Sequence, residues 1–128
     1  MKKGISIFYY LSAAYDGLLG IAFLLAPLSI YNWYGITPPN HVGYVHFPAE
    51  LLIVFAIMFI NIARHPVRNR NLIPYGVLLK ISYCSVVFWH WFSAGIPDMW
   101  KSFAIFDLIF GVVFVWTYIH LGKELKEN

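Results

Sequence analysis

Residues 46–70 read HFPAELLIVFAIMFINIARHPVRNR, an apolar run that ends in a cluster of basic residues. Within the apolar part, residues 47–63, Glu50 is the only charged side chain. An apolar run of this length followed by arginines is typical of a helix that crosses a bilayer and stops on its cytoplasmic side. The stretch therefore predicts a transmembrane helix with Arg64 at its cytoplasmic end.

The composition of the whole chain agrees with a membrane protein. Of its 128 residues, 60% are hydrophobic, 20% are aromatic and only 12% are charged. A water-soluble domain of this size would have to expose much of that apolar surface. The formal charge of +3 comes from basic residues that sit between apolar runs, so it indicates membrane topology and not a nucleic-acid partner.

Four apolar runs predict four transmembrane helices, at about residues 5–26, 47–64, 72–94 and 100–121. The second begins near Pro48, or as early as Asn40 if that proline only kinks the helix. The predicted fold is all-α: one polytopic membrane domain over residues 1–128, built as an antiparallel bundle of four transmembrane helices. Because four helices enclose little space, we expect an oligomer or a partner membrane subunit.

The distribution of basic residues predicts the orientation. Lys101 is the one basic residue outside the spans on one side of the predicted membrane. On the other side lie Lys2, Lys3, Arg64, Arg68, Arg70, Lys123 and Lys126. Cytoplasmic segments of membrane proteins carry the excess of lysine and arginine. Both termini are therefore predicted to be cytoplasmic.

Every predicted span contains a group that hydrocarbon disfavours. These groups are Asp16, Glu50, Lys80 with His90, and Asp107. A charge at mid-membrane costs roughly 2.5 to 3.5 kcal/mol or more, so such side chains are expected to face the protein interior. Helical spacing strengthens this expectation, because each group belongs to a polar stripe with residues three, four or seven positions away. The stripes are Tyr9, Ser12, Asp16 and Gly20; His46, Glu50, Val54, Ile57 and Asn61; Lys80, Tyr83, Val87 and His90; and Asp107, Gly111 and Tyr118.

Depth along the helices predicts two layers of polar groups. At about 1.5 Å per residue, Asp16 and Lys80 lie about 16 and 12 Å from the cytoplasmic edge and are expected to pair. That pair would fix the register of the helices or serve as a proton or substrate relay. The outer layer, formed by His46, Glu50, His90 and Asp107, would line a pocket rimmed by Trp89, Trp91 and Trp100. The predicted binding residues of both layers are His46, Glu50, His90, Asp107, Asp16, Lys80, Tyr83, Trp89 and Trp100.

Histidines beside carboxylates are the ligand types of transition metals, and a b-type haem between His46 and His90 is a further alternative. Nothing in the spacing demands either. Interfacial histidines that hydrogen-bond carboxylates are commoner, so no metal site is predicted and the cofactor stays open.

The residues Pro48-Ala49-Glu50-Leu51 and Ala63-Arg64-His65-Pro66 resemble the DoxX-like and BphX-like small bacterial membrane proteins. The resemblance rests on residues 47–70, an acid early in the second span followed by a short basic stop with a proline. It implies a four-helix membrane bundle, often encoded beside oxidoreductase or catabolic genes. The matching Glu50 is the one site residue that the resemblance carries over.

Three functions are compatible with these features. The first is binding or transport of a small or lipophilic ligand, or an accessory subunit, around an internal polar site. The second is a membrane-embedded, isomerase-like enzyme on a lipid or sterol-like substrate, with Glu50 and Asp107 as acid and base. In the third, the polar groups only hold helices together in a structural subunit.

Overall fold

The computed structural model describes residues 2–127, and side chains up to residue 126. All regular elements over this range are helices, and four of them are long and apolar enough to cross a membrane. These observations confirm the predicted all-α class and the four membrane-span helices. The elements are α1 (Lys2–Leu25), α2 (Pro27–Trp33), α3 (Gly43–Arg64), a 3₁₀ turn (Arg70–Leu72), α4 (Ile73–Ser93) and α5 (Asp98–Glu127).

The chain divides at Arg64 into two compact units. The first unit contains α1, α2 and α3, and the second contains the 3₁₀ turn, α4 and α5. In each unit the two long helices pack against each other in an antiparallel hairpin. The single four-helix bundle expected from the sequence concerns both units together and stays a prediction.

Small residues let α1 and α3 approach closely in the first unit. A Cβ added to Gly17 would lie 3.3 Å from the Cβ of Ala56, and one added to Gly20 would lie 2.6 Å from the backbone oxygen of Ala49. No side chain therefore fits at Gly20 without moving the helices apart. Glycine and alanine at such contacts are typical of membrane helices, whose association depends on close packing.

α3 begins at Gly43, and Pro48 lies inside it. The predicted start at residue 47 is thus wrong, and the alternative of an earlier start with an internal proline is correct. The first turn is stabilised locally, because Gly43 N–H donates to His41 Nδ1 at 2.9 Å and His46 N–H donates to the Val42 carbonyl at 3.0 Å. A proline near the start of a helix removes one backbone hydrogen bond, which this anchored first turn tolerates.

The other connections and ends follow from individual residues. Gly95 has φ of 84°, a conformation that favours glycine, and it lies in the short turn between α4 and α5. The polar residues 123–127, which follow the predicted fourth span, continue α5 as helix. His120 supports this extension, because its ring stacks on Trp116 and its Nε2 lies 3.4 Å from Glu124 Oε1.

Arg70 fixes the start of α4 against the last turns of α5. Its Nε donates to the Tyr118 carbonyl at 2.8 Å, and its guanidinium lies 3.8 Å from the centre of the Tyr118 ring. Gly122 leaves the space for this group, since an added Cβ would collide with the guanidinium. An arginine predicted only as a topology signal thus also holds the second hairpin closed.

Candidate functional site

A buried ion pair joins α4 and α5. Lys80 Nζ donates to Asp107 Oδ1 at 3.1 Å, and the exposed fractions of the two side chains are 2% and 11%. Lysine and aspartate are rarely buried without a partner, because the loss of water around a charge is costly. The attraction between the two side chains offsets part of the cost of burying them in two apolar helices.

Gly111 determines the path of the lysine side chain. A Cβ added to Gly111 would lie 3.2 Å from the Cβ of Lys80, so the stem of the lysine starts directly against the backbone of α5. Asp107 lies one turn earlier on the same face of α5. The lysine stem therefore extends along one turn of α5 to reach the carboxylate.

The predicted separation of Lys80 and Asp107 into two layers is wrong. The depth count applies to Cα atoms, and on that count the Cα atoms of the two residues differ in depth by several ångströms. A lysine stem spans such a distance and places its charge far from its own backbone. The predicted partner Asp16 belongs to the first unit, and its pairing with Lys80 stays a prediction.

Three further contacts surround the pair. Cys84, one turn beyond Lys80, donates its thiol to the Ala104 carbonyl at 3.4 Å. Tyr83 OH donates to the Trp100 carbonyl at 3.3 Å, and the ring of Phe110 lies 5.5 Å from Lys80 Nζ. Tyr83 and Trp100, both predicted binding residues, thus contact each other near the turn between α4 and α5, about three residues from the pair along α4.

The ion pair lies in the wall of a groove of about 310 Å³ between α4 and α5. This volume falls within the range of small-molecule sites, roughly 300 to 1,000 Å³. Apart from the ion pair, the lining is almost entirely hydrocarbon. The lining residues are Val77, Lys80, Ile81, Cys84, Ser85, Phe88, Asp107, Leu108, Gly111, Val112 and Val115.

Asp107 keeps some hydrogen-bonding capacity toward this groove. Its carboxylate has two oxygens, and the bond to Lys80 is made by Oδ1. The described part of the chain shows no other hydrogen bond or ion pair for Asp107. A carboxylate oxygen at the edge of an apolar groove is a suitable acceptor for a hydroxyl or amide donor of a ligand.

In the first unit, the predicted polar stripe of α1 faces inward. Tyr9, Ser12, Asp16 and Gly20 are all buried, as the spacing predicts. Ser12 donates to the Phe8 carbonyl at 3.0 Å, which satisfies its hydroxyl within the helix.

The stripe on α3 does not face inward within the first unit. Glu50, Val54, Ile57 and Asn61 are exposed and His46 is half-buried, so this stripe is not the face of α3 that is buried within the first unit. That it turns toward an interior shared by all four spans stays a prediction. Glu50 has no hydrogen bond or ion pair within residues 2–127. Periodicity groups residues on one face of a helix but does not say which face packs inward.

The remaining predicted binding residues lie toward the end of α4. His90 and Trp89 are exposed, and the exposed fraction of Trp89 is 73%. The geometry of the second unit does not bring them to the ion pair. Their role in ligand binding, like that of His46 and Glu50, stays a prediction.

No three histidine, cysteine, aspartate or glutamate side chains come together within either unit, over the residues that the structure describes, to form a metal centre. The second unit instead contains the Lys80–Asp107 ion pair in the wall of an apolar groove. Sequence reasoning missed the groove, although Cys84 and Gly111 share the face of Lys80 and Asp107 and were available as signals.

Comparison with known proteins finds no family model that matches the chain, and no matching curated protein or solved structure. The resemblance to DoxX-like and BphX-like proteins therefore stays an expectation from the sequence.

Proposed function

We propose that the protein is a multi-pass membrane protein that binds a small lipophilic molecule in the groove between α4 and α5. The observation that supports this proposal is the position of the Lys80–Asp107 pair in the wall of an otherwise apolar groove of about 310 Å³. Ligand sites characteristically combine apolar walls with a few polar groups that orient the ligand. The groove has this composition.

The preferred ligand has an apolar body and one hydrogen-bond donor. Hydrocarbon walls would take the body by burying apolar surface, which contributes roughly 25 cal/mol per Å² before the costs of binding are subtracted. Asp107 would accept the donor at Oδ2, while Lys80 holds Oδ1. A ligand without a donor would leave this acceptor unsatisfied and bind less tightly.

A steric variant tests the proposal. Val112 lines the groove and is 62% exposed, whereas Val86 is 58% exposed on α4 and does not line it. The purified chain in lipid nanodiscs is heated with 1-dodecanol or with dodecane at equal mole fraction in the lipid. We expect dodecanol to raise the unfolding midpoint of the wild type and of Val86→Phe more than dodecane does, and Val112→Phe to lose that difference.

Equal responses of all three proteins to the two compounds would contradict the proposal, because they would mean a general effect of the additives on the bilayer. In that case the pair would act only as packing between helices, as in the structural alternative. Asp107→Asn provides a second measurement: an amide still accepts a hydrogen bond, so the preference for dodecanol should shrink and not vanish.

The other functions need more than the groove. Transport would require in addition a route by which the ligand leaves the groove on the other side. The acid/base enzyme requires Glu50 and Asp107 to act on one substrate, and no contact within either unit favours that arrangement. The accessory-subunit alternative is compatible with binding and is decided by copurification of a partner.

A further inference from the structure

One face of α3 carries an exposed heptad pattern. Positions 47, 50, 54, 57, 61 and 64 alternate in spacing between three and four residues, and all six are exposed. The exposed fractions of Phe47, Val54 and Ile57 are 65%, 58% and 56%. This spacing forms the contact seam of left-handed helix pairs, in membranes as in coiled coils.

The seam contains a carboxylate at membrane depth. Glu50 follows Gly43, the first residue of α3, by seven positions, which corresponds to about 10 Å along the helix. Its side chain is exposed and has no hydrogen bond or ion pair over residues 2–127. Hydrocarbon does not solvate a carboxylate, so ionisable groups at such positions usually face protein or water.

We propose that a second copy of this chain covers the seam, with the two α3 helices parallel across a two-fold axis. In such a pair each residue meets its own copy at the same depth. Two Glu50 carboxyls share one proton, so that the protonated group donates a hydrogen bond to the ionised one. The pair then carries one charge instead of two.

The rest of the seam suits the same symmetry. Val54 and Ile57 are β-branched apolar residues, which pack well in two-stranded helix pairs. An unrelated helix would need a matching donor at the depth of Glu50, whereas a second copy brings one at the right depth by symmetry.

Cysteine cross-linking tests the seam directly. Val54→Cys and Ile57→Cys are placed on the seam, and Leu18→Cys, at a position on α1 that is 67% exposed, is the matched control. The buried Cys84 is common to all variants. In proteoliposomes of neutral lipid treated with copper phenanthroline, we expect a covalent dimer at Val54→Cys and Ile57→Cys and little at Leu18→Cys. Equal cross-linking at all three positions, or none on the seam, would overturn the proposal.

The role of Glu50 is tested by the dimer dissociation constant in the same lipid, measured by single-molecule photobleaching. Interhelical hydrogen bonds in membranes are modest, so Glu50→Leu should weaken the dimer by about 3- to 30-fold. Glu50→Gln, which keeps a donor and an acceptor, should retain most of the affinity. Asp98→Asn removes an exposed carboxylate elsewhere and should change nothing. A dimer unaffected by Glu50→Leu, or a wild type that stays monomeric at high protein density, would refute the pairing.

Discussion

The Lys80 ammonium and the Asp107 carboxylate meet within one helical hairpin, 3.1 Å apart, and Gly111 gives the lysine stem its path between them. The two residues come from consecutive helices, so the pair forms as soon as α4 and α5 pack. It therefore contributes both to the stability of the second unit and to the polar end of the proposed site.

Removal of one member of the pair should destabilise the protein more than removal of both. Lys80→Met leaves the Asp107 charge without its partner and should lower the free energy of unfolding by about 3 to 5 kcal/mol. The double variant Lys80→Met with Asp107→Leu removes both charges of this pair and should recover most of that loss. Unfolding by a denaturing detergent, followed by circular dichroism, measures both. A double variant as unstable as Lys80→Met would show that the charges themselves are not the cause.

Gly20 should be intolerant of any side chain. Its missing Cβ would lie 2.6 Å from the Ala49 carbonyl oxygen, so Gly20→Ala forces α1 and α3 apart and should cost about 1 to 3 kcal/mol. Gly4 is the matched control on the same helix, because nothing lies within 4 Å of its added Cβ. Gly4→Ala should be neutral or stabilise by up to about 1 kcal/mol. Thermal unfolding of the two variants gives the comparison, and equal effects would contradict the close approach.

Arg70 should protect the last turns of α5 from local opening. Arg70→Ala removes the hydrogen bond to the Tyr118 carbonyl and the contact with its ring, a loss of about 1 to 2 kcal/mol. Amide hydrogen exchange over residues 118–124 should accelerate accordingly. Arg70→Lys should rescue little, because an ammonium cannot both stack and donate as a planar guanidinium does.

Arg68→Ala is the control for that measurement, since Arg68 is exposed and carries the same charge. Faster exchange in Arg68→Ala than in Arg70→Ala would mean that general electrostatics, and not the Tyr118 contact, protects the end of α5.

Tyr31 should make the protein sensitive to alkaline pH. Burial raises the pKa of Tyr31 above its usual value, so at high pH the unfolded chain loses this proton before the folded chain does. The stabilising contribution is complete below about pH 10 and is lost as pH rises through the higher folded pKa. The free energy of unfolding should fall over that range, and less steeply in Tyr31→Phe. Tyr34→Phe, at an exposed neighbouring position, is the matched control; identical slopes for both variants would contradict the prediction.

The sequence predicts the helices better than it predicts their contacts. Long apolar runs bounded by basic residues, by Pro27 or by Gly95 define α1, α4 and α5 to within a few residues at most ends, because hydrophobic length and turn chemistry are local properties. The start of α3 depends on how a proline is accommodated, and that in turn depends on the backbone turn at His41 and Val42, which no local pattern specifies.

The candidate site shows the same limit. Spacing correctly groups Asp16 with Tyr9 and Ser12 on a buried face, and Glu50 with Val54 on a common face. Spacing does not say whether a given face packs inward. The depth count ignores the length of a side chain, and for that reason it placed Lys80 and Asp107 in different layers. The groove is lined by residues such as Leu108 and Val112. Nothing in the sequence distinguishes them from other apolar residues, because the groove arises only when α4 and α5 pack side by side.

The division at Arg64 bears on biosynthesis. Because α1 and α3 have their mutual contacts complete before residue 65, the first hairpin can assemble while the ribosome is still adding the second. Each unit contains its own pair of packed long helices, so a break in the chain between Arg64 and Arg70 would leave each fragment with that pair.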